Sequence, residues 1–142
     1  VTADVQHADP QTFNWLLANF VRNTDGVRDA VAVSSDGLLI AMSDGVDRTA
    51  ADRLAAIVSG LSSLSRSAAR SYDFEGLKLI MIEMLRGFLL VSAIADGSCV
   101  GVIADDSCDV GLVGYEIAKL ADRAGSLLTP SLISELREQL RR

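Results

Sequence analysis

Two apolar runs meet across Asp36-Gly37 in the stretch VAVSSDGLLIAM, residues Val31 to Met42. A type I′ turn needs positive φ at both central positions, which Gly adopts freely and Asp better than most residues. The segment therefore predicts a tight β-hairpin with arms Ala30–Val33 and Leu38–Met42. The first arm is apolar at consecutive positions, as expected of an interior strand covered on both faces. A chain built around such a hairpin needs a larger sheet with helices packed on it.

The flanking segments supply both. Asp9-Pro10 has the chemistry of an N-cap followed by the first helical position. Phe13, Leu16, Leu17, Phe20 and Val21 then share one helical face, and Asn23 to Gly26 ends the helix. Trp15 points to the opposite side, either as an anchor for a partner or as a ring tucked against a neighbouring loop. After the hairpin, Asp47 or a near neighbour caps a second helix running from about Thr49 to about Ser71. In it Ala50, Leu54, Ile57, Leu61, Leu64 and Ala68 alternate spacings of four and three, an a/d seam flanked by Ala and Ser. Gly60 in mid-helix costs about 1 kcal/mol relative to Ala, which close approach of another backbone would explain. Two readings of this helix are open. The seam is a dimer interface, or the helix simply packs on its own sheet.

Leu77–Leu85 reads as a third strand, with Leu77, Leu79 and Met81 on one face and Ile80, Ile82 and Met84 on the other. Arg86-Gly87 and Asp96-Gly97 turn the chain into strands over Phe88–Ile94 and Cys99–Ala104, an antiparallel meander. Asp109 caps a helix carrying Leu112, Val113, Ile117, Leu120, Ala121 and Ala124, and Thr129-Pro130 restarts a short terminal helix. Leu132, Ile133, Leu136 and Leu140 form its stripe, with Glu135, Arg137, Glu138, Arg141 and Arg142 covering the rest. The predicted fold is α+β: a three-layer sandwich with a five-stranded, mainly antiparallel sheet and helices on both faces. A third strand as apolar as this one is an aggregation hazard at a sheet edge. Pairing with the same strand of a second copy would remove it.

Composition excludes several function classes. The 142 residues are 49% hydrophobic and carry a net charge of −6, which disfavours a nucleic-acid partner. No apolar run approaches bilayer length, and the opening VTADVQHADP lacks the regions of a signal peptide, so a cytoplasmic location is expected. The two cysteines, Cys99 and Cys108, make no disulfide framework and read as small buried side chains. The single histidine, His7, leaves Ser or Cys nucleophiles without a base. Asp105, Asp106 and Asp109 lack metal-loop spacing and read as helix start and solvated loop. There is no phosphate-cradling or dinucleotide glycine pattern. No catalytic residues, cofactor or metal are expected.

The hairpin VAVSSDGLLIAM, the helix RTAADRLAAIVSGLSSLSRSAAR, the turn and strand DGSCVGVIAD and the helix CDVGLVGYEIAKLADRAG together resemble the Roadblock domain family. This is the dynein light chain and small-GTPase partner group. The likeness is to its actinobacterial branch, similar to bacterial small-GTPase regulators of the gliding-motility type. It spans Pro10 to Leu128, leaving residues 1–9 as a tail, 10–128 as the domain and 129–142 as a helical extension. It implies a profilin-like sandwich with the first and third helices on one face and the second on the other. It also implies pairing through the second helix and third strand, with Leu54, Ile57, Gly60, Leu61, Leu64, Ala68, Leu79 and Met81 at the interface. The implied function is a homodimeric, non-catalytic regulator or scaffold that binds a Ras-like small GTPase, any membrane association being supplied by partners. The alternatives are an adaptor for a histidine-kinase-like protein, without effect on GTP hydrolysis, and a small-ligand sensor. Arg48, Arg53, Arg66 and Arg70, on or beside the second helix, are partner-binding candidates with Trp15; each arginine on its own reads as a solvated helix charge.

Overall fold

Four helix starts use the caps that the sequence announces. In the computed structural model, which describes residues 9–141, Asp9 accepts the Thr12 N–H at 2.8 Å and opens α1 (Pro10–Asn23). Asp47 does the same for α2 (Arg48–Ser71) through the N–H of Ala50 at 2.9 Å. Asp109 accepts from Leu112 at the start of α3 (Val110–Leu127), and the Thr129 hydroxyl accepts from Leu132 at the start of α4 (Pro130–Arg141). Each bond satisfies one backbone donor that a helix leaves orphaned at its first turn. His7, the rest of the expected tail before Asp9, and Arg142 lie outside the described residues.

The strands are β1 (Val27–Val33), β2 (Leu39–Met42), β3 (Leu79–Met84), β4 (Gly87–Ala93) and β5 (Cys99–Asp105). They form one sheet in the order β2-β1-β5-β4-β3, antiparallel throughout. Ala30 to Val33 are all buried, as an interior strand requires. The turn at Asp36-Gly37 differs from expectation. Only Gly37 has positive φ, +84°, and the Gly37 N–H donates to Ser34 O while the Ser34 N–H donates to Leu38 O. That is a longer loop closed by a bulge glycine, with the register shifting between Ala32 and Val33. The two consecutive positive φ values of a type I′ turn occur at Asp96 (64°) and Gly97 (81°), between β4 and β5.

The sheet separates two cores. On one face Phe13, Leu17, Ile40, Leu90, Val102 and Ile117 bring α1 and α3 together, and Leu132 and Leu136 of α4 join them. On the other, Val31, Val33, Leu89 and Val91 pack against Ala51, Ala55 and Val58 of α2. The result is the three-layer sandwich expected from the pattern.

The two sheet edges are treated differently. At β2, α4 lies alongside: Arg48 donates to Leu140 O at 2.7 Å, and Leu140 packs against the α2-side core. Arg137, which the sequence pattern assigns to the solvated side of its helix, instead reaches into the β1–β2 loop. Its Nη2 donates to Ser34 Oγ and Asp36 Oδ1, both at 2.5 Å. The Ser34 hydroxyl above all, and the Arg137 guanidinium after it, hold the Asp36 carboxyl below its ordinary value of 3.8. The stabilisation is complete above that value and is lost as pH falls through the lower folded one. Below pH 3.8 the urea midpoint of the native chain should fall more steeply than that of Asp36→Asn, and parallel profiles would remove Asp36 from the latch. At the other edge, β3 pairs only with β4 among the described residues, and its outer edge has no partner strand there.

Candidate functional site

Helix α2 has three longitudinal stripes. Ala51, Ala55, Val58, Ser62 and Ala69 are the buried one and face the sheet. Small side chains let the helix settle close, and Gly101 of β5 completes the fit, because a Cβ there would lie 2.4 Å from Val58 Cγ2. The a/d seam lies off this contact. Leu54 and Leu61 are half-buried at the margin of the core, whereas Ile57 is 45% and Leu64 73% exposed. Gly60 and Ala68 on the seam are exposed too. A Cβ built on Gly60 would meet nothing within 4 Å, so no backbone among the described residues explains that glycine.

Beside the seam lies the free edge of β3. Ile80 and Ile82 pair with Val91 and Leu89 and lean, half-buried, toward the α2 core. Leu79 and Met81, expected at one interface with the seam, lie on the opposite sheet face. Met81 pairs with Leu90 of the other core, and the two are 41% and 47% exposed. The period of two predicts the alternation but does not say which side the helix covers. Met84 and Leu85 prolong the exposed apolar surface. At the end of α2, Tyr72 and Phe74 stack with ring centroids 5.8 Å apart and stand more than two-thirds exposed. Sequence reasoning passed over this pair; its signal was two aromatics in the polar turn YDFEG of a chain only 5% aromatic.

The partner-binding candidates do not form one patch. Arg48 is tied to Asp52 at 3.1 and 3.2 Å and to Leu140 O. Arg53 is exposed on α2, with no ion pair among the described residues. Arg66 and Arg70 share a groove beside the C-terminal half of α2. Trp15, 53% exposed, is on α1 and therefore on the far side of the sheet. In the acidic loop, Asp105 accepts from the N–H and hydroxyl of Ser107, and Asp109 caps α3. Burial, followed by the charges of Asp105 and Asp109, pushes the neighbouring Cys108 thiol up, away from thiolate chemistry. Among the described residues no helix is long and apolar enough to cross a membrane.

The pattern of the Roadblock/LC7 domain matches residues 13–104. No curated protein matches the sequence. The crystal structure of a Roadblock/LC7 domain from Streptomyces avermitilis is 31% identical, with a TM-score of 0.71, over 91% of this chain and 98% of that one. MglB of Myxococcus xanthus shares the fold at 18% identity, with a TM-score of 0.74, over 80% of this chain and 92% of its own. Profilin II of Acanthamoeba castellanii, also 18% identical, matches at a TM-score of 0.54 over 80% of this chain and 96% of its own, a likeness of fold alone.

Proposed function

The chain belongs to the Roadblock/LC7 domain family, and from that membership we propose a non-catalytic homodimer that binds a Ras-like small GTPase and modulates its nucleotide state or location. The observation that carries this reading is an apolar helix seam left unburied beside a sheet edge left unpaired. A two-fold axis near Gly60 and Leu61 would set two copies of α2 antiparallel, with Ile57 of each against Leu64 of the other. Gly60 would then lie where the helices cross, which gives it the close backbone contact missing within one chain. The same axis would join the two β3 strands into a continuous sheet and close the exposed edges. Leu79 and Met81 would flank that junction on the face of α1 and α3.

The GTPase contact is assigned to surface outside the seam, with Arg53 on α2 or Trp15 on α1, on opposite sides of the sheet, as alternative anchors. Any change in GTP hydrolysis would arise in the partner's own site, through a positioned arginine or through its switch segments. Immobilised protein exposed to source lysate, with GDP or a non-hydrolysable GTP analogue, tests the proposal by mass spectrometry of the retained proteins. A small GTPase held in one nucleotide state is the expected result. Retention of no GTPase, or of a kinase alone in both states, would contradict it.

A further inference from the structure

The flank of α2 opposite the seam has its own chemistry. Ser59, Ser63, Arg66 and Arg70 each follow a seam residue (Ile57, Leu61, Leu64, Ala68) by two positions. Two positions are about 200° around a helix, so the two sets look in opposite directions. Beneath this second flank lies a notch of about 250 Å³, walled by the β1–β2 loop and by the turn at Gly97. Past Arg66 and Arg70 lies a wider groove of about 520 Å³, bordered by Asp73 and Glu75. The walls come close because they are glycine. A Cβ on Gly37 would lie 2.8 Å from Ser59 Oγ, and one on Gly97 would lie 3.2 Å from Ser35 Cβ and 4.0 Å from Arg66 Nη1.

The cations of this notch are unanswered. Arg22, Arg48, Arg137 and Arg141 each have a carboxylate partner. Arg66 and Arg70 have none among the described residues, like the exposed Arg28, Arg53, Arg86 and Arg123, but Arg66 is half-buried. The half-buried Arg66 guanidinium has one polar contact there, the Cys99 sulfur at 3.5 Å, which the buried Ser62 hydroxyl also approaches at 3.2 Å. A thiol is a weak acceptor for a fork with five donors. Asp36, the carboxylate in the wall, is engaged by Arg137 and Ser34. The notch therefore offers two positive charges and the free hydroxyls of Ser59 and Ser63 to whatever enters.

We propose that this notch binds a small molecule through a phosphate group. Two guanidinium charges match a dianion better than a carboxylate. A tetrahedral oxyanion can also take donors from the arginine forks and the serine hydroxyls in different directions. The space exceeds that of a bare phosphate and leaves room for a substituent or a second phosphate. Because the notch is on the flank away from the seam, its occupancy does not depend on self-association.

The test is an NMR titration of the full chain with inorganic phosphate and with pyrophosphate, against chloride at matched ionic strength. Saturable shifts at the Ser35, Ser63 and Gly97 amides are expected with both probes. Tighter binding of pyrophosphate would assign a diphosphate-bearing ligand, and equal binding a monophosphate. Arg66→Gln and Arg70→Gln should each weaken the midpoint about tenfold, as loss of a charge-assisted pair does. Arg70 is exposed, so a loss there reports binding and not unfolding. Linear, unsaturated shifts, shifts that chloride reproduces, or saturable shifts indifferent to both substitutions would each overturn the site.

Discussion

Gly101→Ala destabilises the chain by about 1–3 kcal/mol, the usual cost of forcing one carbon into a packed core. The new Cβ would sit 2.4 Å from Val58 Cγ2 and 3.4 Å from Val31 Cγ2. Val58 is fully buried and β-branched, so its helical rotamer has little freedom to turn away. Relief has to come from movement of α2 itself, which carries the proposed interface. Val58→Ala in the same chain removes the obstructing methyl. The double variant should therefore lose less stability in urea than the sum of the two single ones. Strict additivity would show that Val58 is not what the new carbon meets.

Leu64→Arg should leave the fold intact and abolish the proposed dimer. Leu64 is 73% exposed within the chain, and substitution at such a surface position shifts stability by about 0.5 kcal/mol or less. In an isologous contact every substitution enters twice. Two arginines would be buried, each against the partner's Ile57, without carboxylates to receive them. Losing an apolar anchor at the centre of an interface costs about 2 kcal/mol or more, at least about 30-fold in dissociation constant. Light scattering should report a monomer for Leu64→Arg at concentrations where the native chain and Asp122→Arg, an exposed change on α3, remain dimeric. An unchanged mass would move the interface off the seam. Leu61 is a poorer probe because it also packs on its own core.

The elements themselves were legible because their signals are local. Asp9, Asp47, Asp109 and Thr129 each precede an apolar helical period and each caps a helix. The hairpin of β1 and β2 and the meander of β3, β4 and β5 followed from short turns between apolar runs; the pairing of β1 with β5 that joins them did not. What was not legible depends on other segments. The seam of α2 stands out in the sequence, yet a stripe of Ala and Ser beside it makes the contact with the sheet. Gly101, on another strand, is what allows that closer stripe to settle. The alternation of β3 was plain, but its assignment to a core needed the pairing with β4, which put Ile80 and Ile82, not Leu79 and Met81, toward α2. Arg137 looked like one of several charges on a polar helix face. Only the position of α4 over β2 turns it toward Asp36. The Asp36-Gly37 dipeptide marked a turn correctly but not its length, since a single bulge glycine closes a longer loop as well as two positive φ values close a shorter one.

Amide hydrogen exchange on the native chain, measured across a dilution series, tests the proposed dimer most directly. The outward N–H groups of β3, which have no partner strand among the described residues, should be protected at high concentration and exchange freely on dilution. Protection across the α2 seam from Leu54 to Ala68 should be lost in parallel, as the mass falls from twice 15.1 kDa to 15.1 kDa. Fast exchange along β3 at every concentration, whatever the mass, would contradict the account.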